Sequence, residues 1–190
     1  MRQVTVHTVI SAPREQVFDF VADLSLRPSY CDHFMHDYRL ARANPRGLGA
    51  AARFRVDRPL AQEWAELTIT ACERPRRIVE EGRIGRVGRS RLVAVYELVP
   101  EAAGTTRVEL TSYSEPATLV DSLKQLGASG WTRRKTKRAL SRLRDLFEQP
   151  QAHPLDRVGV AGYEPETAPR FGAHVPSPHA ATGGAVAADR

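Results

Sequence analysis

The side chains best suited to chemistry are concentrated in one ten-residue stretch, SYCDHFMHDY, from Ser29 to Tyr38. It contains one cysteine, two aspartates, two histidines and three aromatic residues. Cysteine and histidine can hold a metal or form a nucleophile–base pair, and histidine also transfers protons near neutral pH. The stretch therefore raises three hypotheses: a metal site, a nucleophilic active site, or the polar lip of a binding site.

The spacing of these residues argues against a metal and against a cysteine nucleophile. A metal would require Cys31, His33 and His36 to converge, and no second ligand set accompanies them to complete a structural zinc site. Cys31 and His33 are two positions apart, so they do not face each other on a helix. No sequence feature indicates an oxyanion hole. We expect no metal and no cofactor, and we interpret the stretch as a polar lip.

Two roles for this lip remain open at the level of sequence. In the first, Tyr30, His33 and Phe34 contact or gate a ligand. In the second, Tyr30, Phe34 and Met35 anchor a loop on the core while the polar side chains are solvated. The residue types do not separate these roles, so the elements that position the stretch must be considered.

The composition predicts a cytoplasmic protein with one domain, residues 1–148, and a C-terminal tail. Only two cysteines occur among the 190 residues, without CxxC spacing, which argues against a zinc ribbon or a disulfide scaffold and fits a reducing compartment. The sequence has no signal-peptide pattern and no apolar run of the roughly 20 residues that span a membrane. Residues 149–190 are rich in Pro, Gly and Ala and are predicted to be largely disordered.

Hydrophobic periodicity predicts an α+β order of elements. Alternation over Gln3–Ile10 indicates a half-buried strand, and Pro13–Ala22 has helical spacing with a proline at its first position. A second short helix or turn follows, broken by Pro28. Six further strands are separated by short turns, which implies an antiparallel meander because parallel pairing requires long crossovers. An amphipathic helical segment of about thirty residues then closes the domain.

This order of elements resembles the helix-grip fold of the START-like superfamily, also called SRPBCC, which includes polyketide cyclase/dehydrases and lipid-transport proteins. The resemblance extends from about Val4 to Glu148. Four segments carry it: ISAPREQVFDFVAD after the first strand, RPRRI between strands, VYELVPEAAGTTRVEL in the last hairpin, and RALSRLRDLFE at the end of the helix. They identify a superfamily and not an activity, because one fold supports many functions.

The resemblance implies a curved antiparallel sheet of about seven strands, wrapped around the C-terminal helix, with two short helices after the first strand. A cavity between sheet and helix would bind a hydrophobic small molecule, such as a lipid, a quinone or a polyketide. The residues expected to contact the ligand are Tyr30, His33, Phe34, Trp64, Tyr96, Leu123, Gly127 and Trp131.

Two features of this expected site stay open. Trp64 shares a strand face with Glu66, and a bulge near Ala71–Glu73 would decide whether that face lines the cavity. Gly127 and Gly130 would either leave volume for the ligand or allow the helix to pack closely on the sheet. The Tyr96 side chain, by contrast, is predicted to lie on the inward face of its strand.

Three functions are compatible with the sequence. The first is a binding or carrier module. The alternative is an enzyme resembling the polyketide cyclase/dehydrases, in which Tyr96 or His33 gives acid–base assistance to a poly-ketone folded by the pocket. The third is an interaction protein that contacts anionic lipid through its basic segment WTRRKTKRALSRLR. That segment carries no strong nucleic-acid signal. Few titratable residues are predicted to point inward, which favours binding, and the sequence leaves the oligomeric state open.

Overall fold

The chain folds into a seven-stranded antiparallel sheet that curls as a half-barrel, with the C-terminal helix packed against it. The predicted α+β helix-grip fold is therefore confirmed. The structure is a computed structural model and describes residues 2–59, 61–85, 90–102, 104–118 and 128–149.

The described residues form seven strands and three helices. The strands are β1 (Arg2–Ile10), β2 (Met35–Leu40), β3 (Ala51–Arg58), β4 (Ala61–Glu73), β5 (Arg77–Ile84), β6 (Ser90–Ala102) and β7 (Thr105–Glu115). The helices are α1 (Arg14–Val21), α2 (Pro28–Cys31) and α3 (Ala128–Glu148), with a 3₁₀ turn at Leu24–Leu26. Strands β2 to β7 follow one another as a meander, and β1 pairs with β7, giving the order β1-β7-β6-β5-β4-β3-β2.

The buried face of the last hairpin follows the predicted alternation. Tyr96 and Leu98 of β6 and Val108 and Leu110 of β7 are at most 5% exposed. They belong to one hydrophobic core with residues of α3, including Leu140. Burial of this apolar face is the main source of stability for the sheet and the helix together.

The connection between α1 and α2 is fixed by polar contacts. The Asp23 side chain accepts a hydrogen bond from the Ser25 backbone N–H at 3.0 Å and pairs with Arg46 at 2.7 Å. Pro28 begins α2 instead of breaking a helix, because a proline at the first position lacks only an N–H that would have no partner in the helix. Arg27 therefore lies where the 3₁₀ turn meets α2, and its side chain is buried.

Strands β4 and β5 approach each other closely beside the core. A bulge lies between Ile69 and Ala71 of β4, next to the position that the sequence suggested. Gly82 of β5 packs directly on the β4 backbone, since a Cβ atom at this position would lie 2.0 Å from the carbonyl oxygen of Glu66. Only glycine fits this position without moving the β4 backbone.

Helix α3 has one apolar and one basic face. Leu140 and Leu143 are buried, whereas four basic residues in its first half are exposed: Arg133, Arg134, Lys137 and Arg138. In the described part of the chain, no helix combines the length and the apolar character that a membrane crossing requires.

Candidate ligand cavity

A cavity of about 150 Å³ lies between the sheet and α3. Its walls are mostly apolar and aromatic, and they come from α2, from the six strands β2 to β7 and from α3. Representative lining residues are Phe34, Phe54, Leu67, Leu110, Trp131 and Leu140. Apolar and aromatic walls of this kind bind apolar molecules.

Arg27 forms the polar end of the cavity, together with Glu80 and Tyr96. Its guanidinium binds Glu80 in a bidentate pair, with Nη1 3.2 Å from Oε2 and Nη2 bonded to Oε1. Nη1 also donates to the Tyr96 hydroxyl at 2.8 Å, and Nη2 to the carbonyl of Val21 at 3.4 Å. Arg27 and Glu80 are only 1% and 4% exposed, so this is a buried ion pair.

The aromatic rings of Tyr30 and Tyr96 enclose the guanidinium. The Cζ atom of Arg27 lies 5.6 Å from the ring centroid of Tyr30 and 5.2 Å from that of Tyr96, within cation–π range. Burial alone would lower the pKa of Arg27, but the Glu80 carboxylate, together with Tyr30, Tyr96 and Tyr38, outweighs burial and holds this pKa above its usual range. Arg27 therefore stays charged, and Glu80 neutralises it.

The tyrosine hydroxyls in this region are neutral donors. Burial raises the pKa of Tyr30 and of Tyr96 well above the usual value, against the opposing effect of Arg27. The Tyr30 hydroxyl has no hydrogen-bond partner among the described residues, although Tyr30 is 1% exposed. An unpaired buried hydroxyl costs free energy unless something else bonds to it, which makes Tyr30 a candidate ligand contact.

Cys31 lines the same cavity as an inert thiol. Burial raises its pKa to about 12. Since the thiolate is the nucleophilic form, the protonated Cys31 is no nucleophile at neutral pH. Across the described ranges, no group of three or more His, Cys, Asp or Glu side chains is arranged to hold a metal ion.

His33 does not line the cavity but joins the end of α2 to α3. Its Nε2 atom lies 3.1 Å from the carbonyl oxygen of Lys135, and the Lys135 ammonium donates to the His33 carbonyl at 3.0 Å. Its Nδ1 atom lies 3.4 Å from Nη1 of Arg142. The expected contact between His33 and a ligand is therefore replaced by contacts with α3, because the imidazole is directed at the helix backbone.

The expected site residues Tyr30, Phe34, Tyr96 and Trp131 are all brought to the cavity wall. Phe34 and Trp131 meet edge to face, with their ring centroids 6.2 Å apart, and so connect the segment after α2 to α3. Their contact with a ligand stays a prediction. Leu123 and Gly127, also expected in the site, lie outside the described residues, as do residues 150–190 of the proposed tail.

Trp64 must be removed from the expected site. It is 45% exposed on the outer face of β4, where the guanidiniums of Arg53 and Arg55 lie 4.8 and 5.8 Å from its ring centroid. Ala65 and Leu67 occupy the inner face instead, because side chains alternate along a strand. The exposed Glu66 side chain shares the outer face, so it is not a buried charge.

Gly130 serves neither of the purposes suggested by the sequence. It is exposed, and a Cβ atom there would meet nothing within 4 Å. It therefore neither borders the cavity nor allows close packing on the sheet.

The buried ion pair of the site, Arg27 and Glu80, was not predicted from the sequence. The burial of Glu80 could have been predicted, because Glu80 lies on the same inward face of β5 as Ile78 and Ile84. No pattern in the sequence indicates that Arg27 is buried, apart from its position before Pro28 in the turn that leads into α2.

Comparison with known proteins agrees with this fold. A family model described as polyketide cyclase / dehydrase and lipid transport matches residues 1–148. The chain therefore belongs to the polyketide cyclase/dehydrase and lipid transport family. This membership indicates a hydrophobic ligand-binding fold. No curated protein matches the chain.

Solved structures with the same fold come from several bacteria. A protein of Thermus thermophilus has a TM-score of 0.58 and 20% identity, covering 78% of this chain and 100% of its own. A protein of Nitrosospira multiformis has a TM-score of 0.58 and 18% identity, covering 77% and 96%. A protein of Chromobacterium violaceum has a TM-score of 0.57 and 14% identity, covering 78% and 99%. At such identities the similarity concerns the fold alone.

Proposed function

We propose that this protein binds a hydrophobic small molecule in the cavity between the sheet and α3. The observation that carries the proposal is a mostly apolar cavity of about 150 Å³ with the buried Arg27–Glu80 pair at one end. An apolar molecule gains about 25 cal/mol for each Å² that it removes from water, and the polar end would orient it. A lipid, a quinone or a polyketide could place a ring or chain segment there, since a cavity of about this volume accepts a benzene-sized ring.

An enzyme of the cyclase/dehydrase type is the second candidate. It is supported by the convergence of Arg27, Glu80, Tyr30 and Tyr96 inside the cavity, which the sequence alone did not predict. Neutral tyrosine donors would polarise a ketone carbonyl and favour its reaction. Binding remains our first proposal because Glu80 is engaged by Arg27. His33, the base suggested by the sequence, is directed at the backbone of α3 and does not line the cavity.

We also propose that the basic face of α3 contacts anionic lipid. Trp131 and Thr132 line the cavity, and the next residues, Arg133 and Arg134, are exposed beside it. Each basic side chain near an anionic surface contributes about 1 kcal/mol, so this contact would hold the cavity near a membrane that contains its ligand. The cytoplasmic location proposed here fits the two free cysteine thiols.

The experiment for the binding proposal compares three proteins by native mass spectrometry and organic extraction. Ala94→Phe fills the cavity from β6, and Val99→Phe adds the same side chain at an exposed position of that strand. The wild type and Val99→Phe should release the same apolar molecule, and Ala94→Phe should not. Equal release by Ala94→Phe would place the molecule elsewhere and contradict the proposal.

A further inference from the structure

An open groove of about 720 Å³ lies beside α1, apart from the ligand cavity. Its walls come from α1, from the 3₁₀ turn, from the loop before β3 and from the end of β4. Its apolar lining includes Phe18, Phe20 and Leu26. Within the described residues, the groove and the ligand cavity have no lining residue in common. The groove is therefore a separate surface that plays no part in the proposed function.

The charged residues of the groove are paired with one another. The Asp19 carboxylate accepts two hydrogen bonds from the Arg74 guanidinium, at 2.8 and 2.9 Å. Asp23 pairs with Arg46 at 2.7 Å. Because these four charges cancel, the groove is suited to an apolar segment that is itself neutral overall.

Two apolar side chains at the groove are accessible to such a segment. Leu48 follows the lining residue Gly47, and it is 69% exposed, more than any other large apolar side chain in the described residues. Phe20 lines the groove from α1 and is only partly buried. Accessible apolar surface of this kind marks a site where another part of a protein binds.

Helix α3 ends next to this groove. Phe147 packs edge to face on Phe20, with the ring centroids 5.3 Å apart. The Glu148 carboxylate accepts hydrogen bonds from the N–H and the hydroxyl of Ser11, just before α1, at 3.0 and 2.9 Å. The chain therefore leaves α3 beside the helix that forms one wall of the groove.

The sequence after α3 contains one segment of suitable composition. Residues 155–163 hold four large apolar side chains: Leu155, Val158, Val160 and Tyr163. Residues 164–190, a stretch three times as long, hold only three. The two charges of the segment, on Asp156 and Arg157, cancel. Residues 150–154 connect it to α3, and five extended residues span up to about 17 Å.

We propose that residues 155–163 bind in this groove, with their apolar side chains on Phe20, Leu26 and Leu48. The chain's own segment is favoured over a separate partner, because a short linker holds it near the groove at an effective concentration on the order of millimolar. Binding covers Cys72, a free thiol that lines the groove and is partly exposed.

The accessibility of Cys72 tests this proposal, because alkylation by iodoacetamide slows when the groove is covered. Mass spectrometry measures the alkylation rate at one pH in the full-length wild type and in a segment variant, in which Leu155, Val160 and Tyr163 are replaced by serine. Cys72 in the segment variant should react at least about fivefold faster, which corresponds to a docked population of about 80% in the wild type. Cys31, at 2% exposure, should react slowly in both proteins.

Three apolar residues outside the segment provide the matched control: Phe171, Val175 and Val186. Their replacement by serine removes the same number of large apolar side chains from the sequence after α3. This control variant should alkylate Cys72 at the wild-type rate.

A substitution in the groove tests the contact from the other side. Leu48→Ser should also accelerate the alkylation of Cys72, and it should add little in the segment variant, because the two changes remove the same contact. Val99→Ser, which changes an exposed apolar side chain of β6, should leave the rate unchanged. Thermal unfolding verifies that each variant is folded.

An equal alkylation rate of Cys72 in the wild type and in the segment variant would overturn the proposal and leave the groove free for a separate partner. Protection of Cys72 that is lost when the protein is diluted would also overturn it, because the segment would then bind a second copy of the chain. The proposal fails as well if the control variant reacts as fast as the segment variant, since the contact is then not confined to residues 155–163.

Discussion

Arg27 and Glu80, 53 residues apart in the sequence, form a buried bidentate ion pair that joins the start of α2 to the middle of β5. The two side chains are 1% and 4% exposed. Neither charge would be tolerable alone in this position, because an unpaired buried ion carries a large desolvation cost. The pair therefore acts as one neutral unit, and it holds the short helices against the sheet at the polar end of the cavity.

Replacing Arg27 and replacing Glu80 should have strongly non-additive effects on the free energy of unfolding. Arg27→Met or Glu80→Leu alone should lower the free energy of unfolding by about 3–5 kcal/mol, because each leaves an uncompensated buried charge. The double variant should lose less than either single variant. Urea unfolding of all four proteins measures this, and additive losses in the double variant would show that the two charges are not coupled.

Two glycine substitutions should have opposite effects on stability. Gly82→Ala should destabilise the fold by about 1–3 kcal/mol or more, since its Cβ would overlap the backbone of β4 at Glu66. Gly130→Ala in α3 meets no atom within 4 Å and should stabilise the protein by up to about 1 kcal/mol. Thermal unfolding compares them, and tolerance of Gly82→Ala would mean that β4 and β5 are further apart at this position.

Acidification should weaken the contact between His33 and α3. Burial lowers the pKa of His33, opposed by its bond to the Lys135 carbonyl and reinforced by nearby Arg142 and other basic groups. The unfolded imidazole protonates near 6.5, so below that pH the unfolded state binds more protons than the folded state. The free energy of unfolding then falls as the pH falls through this window.

A histidine variant isolates this effect. Between about pH 7.5 and pH 5.5, the wild type should lose more stability than His33→Gln, as measured by urea unfolding at each pH. His7→Gln, at an exposed position of β1, controls for the loss of one imidazole. If the free energy of unfolding changes with pH equally in the wild type and in His33→Gln, the lowered pKa of His33 is contradicted.

The basic face of α3 should dominate binding to anionic vesicles. Replacing its four exposed basic residues, Arg133, Arg134, Lys137 and Arg138, by glutamine should lower partition into phosphatidylserine-containing vesicles on the order of 1,000-fold, at about 1 kcal/mol for each residue. Binding should also weaken as salt is added, because exposed charges are screened.

A charge-matched variant provides the control for vesicle binding. It replaces four exposed arginines that are each paired with a carboxylate: Arg46, Arg74, Arg76 and Arg91. Both variants lose the same formal charge, but the control should retain most of the binding in a co-sedimentation assay. Equal losses in the two variants would mean that net charge, and not the α3 surface, attracts the protein to the vesicle.

The fold could be predicted from the sequence because its signals are local. Alternation and short turns define the strands, and the inward phase of β6 correctly placed Tyr96 on the buried face. The polar end of the cavity could not be predicted in the same way. Its formation depends on a turn that buries Arg27 and on a strand register that brings Glu80 to meet it, and neither contact is local in sequence.

The remaining differences also have physical reasons. The face occupied by Trp64 depended on the position of a bulge, which lies between Ile69 and Ala71, after Trp64 in β4. His33 looked like a cavity residue because of its neighbours, but its environment is set by the packing of α3 on α2 through Lys135. Side chains near chain reversals are governed by such tertiary contacts more than by periodicity.

The most direct test of ligand binding in the cavity is an NMR titration of the ¹⁵N-labelled protein with ethylbenzene, in the wild type, Ala94→Phe and Val99→Phe. We predict saturable shift changes at the amides of lining residues such as Leu110 and Leu140 in the wild type and in Val99→Phe, and their loss in Ala94→Phe. An absence of saturable changes at these amides in the wild type, or their persistence in Ala94→Phe, would contradict the assignment of this cavity as the binding site.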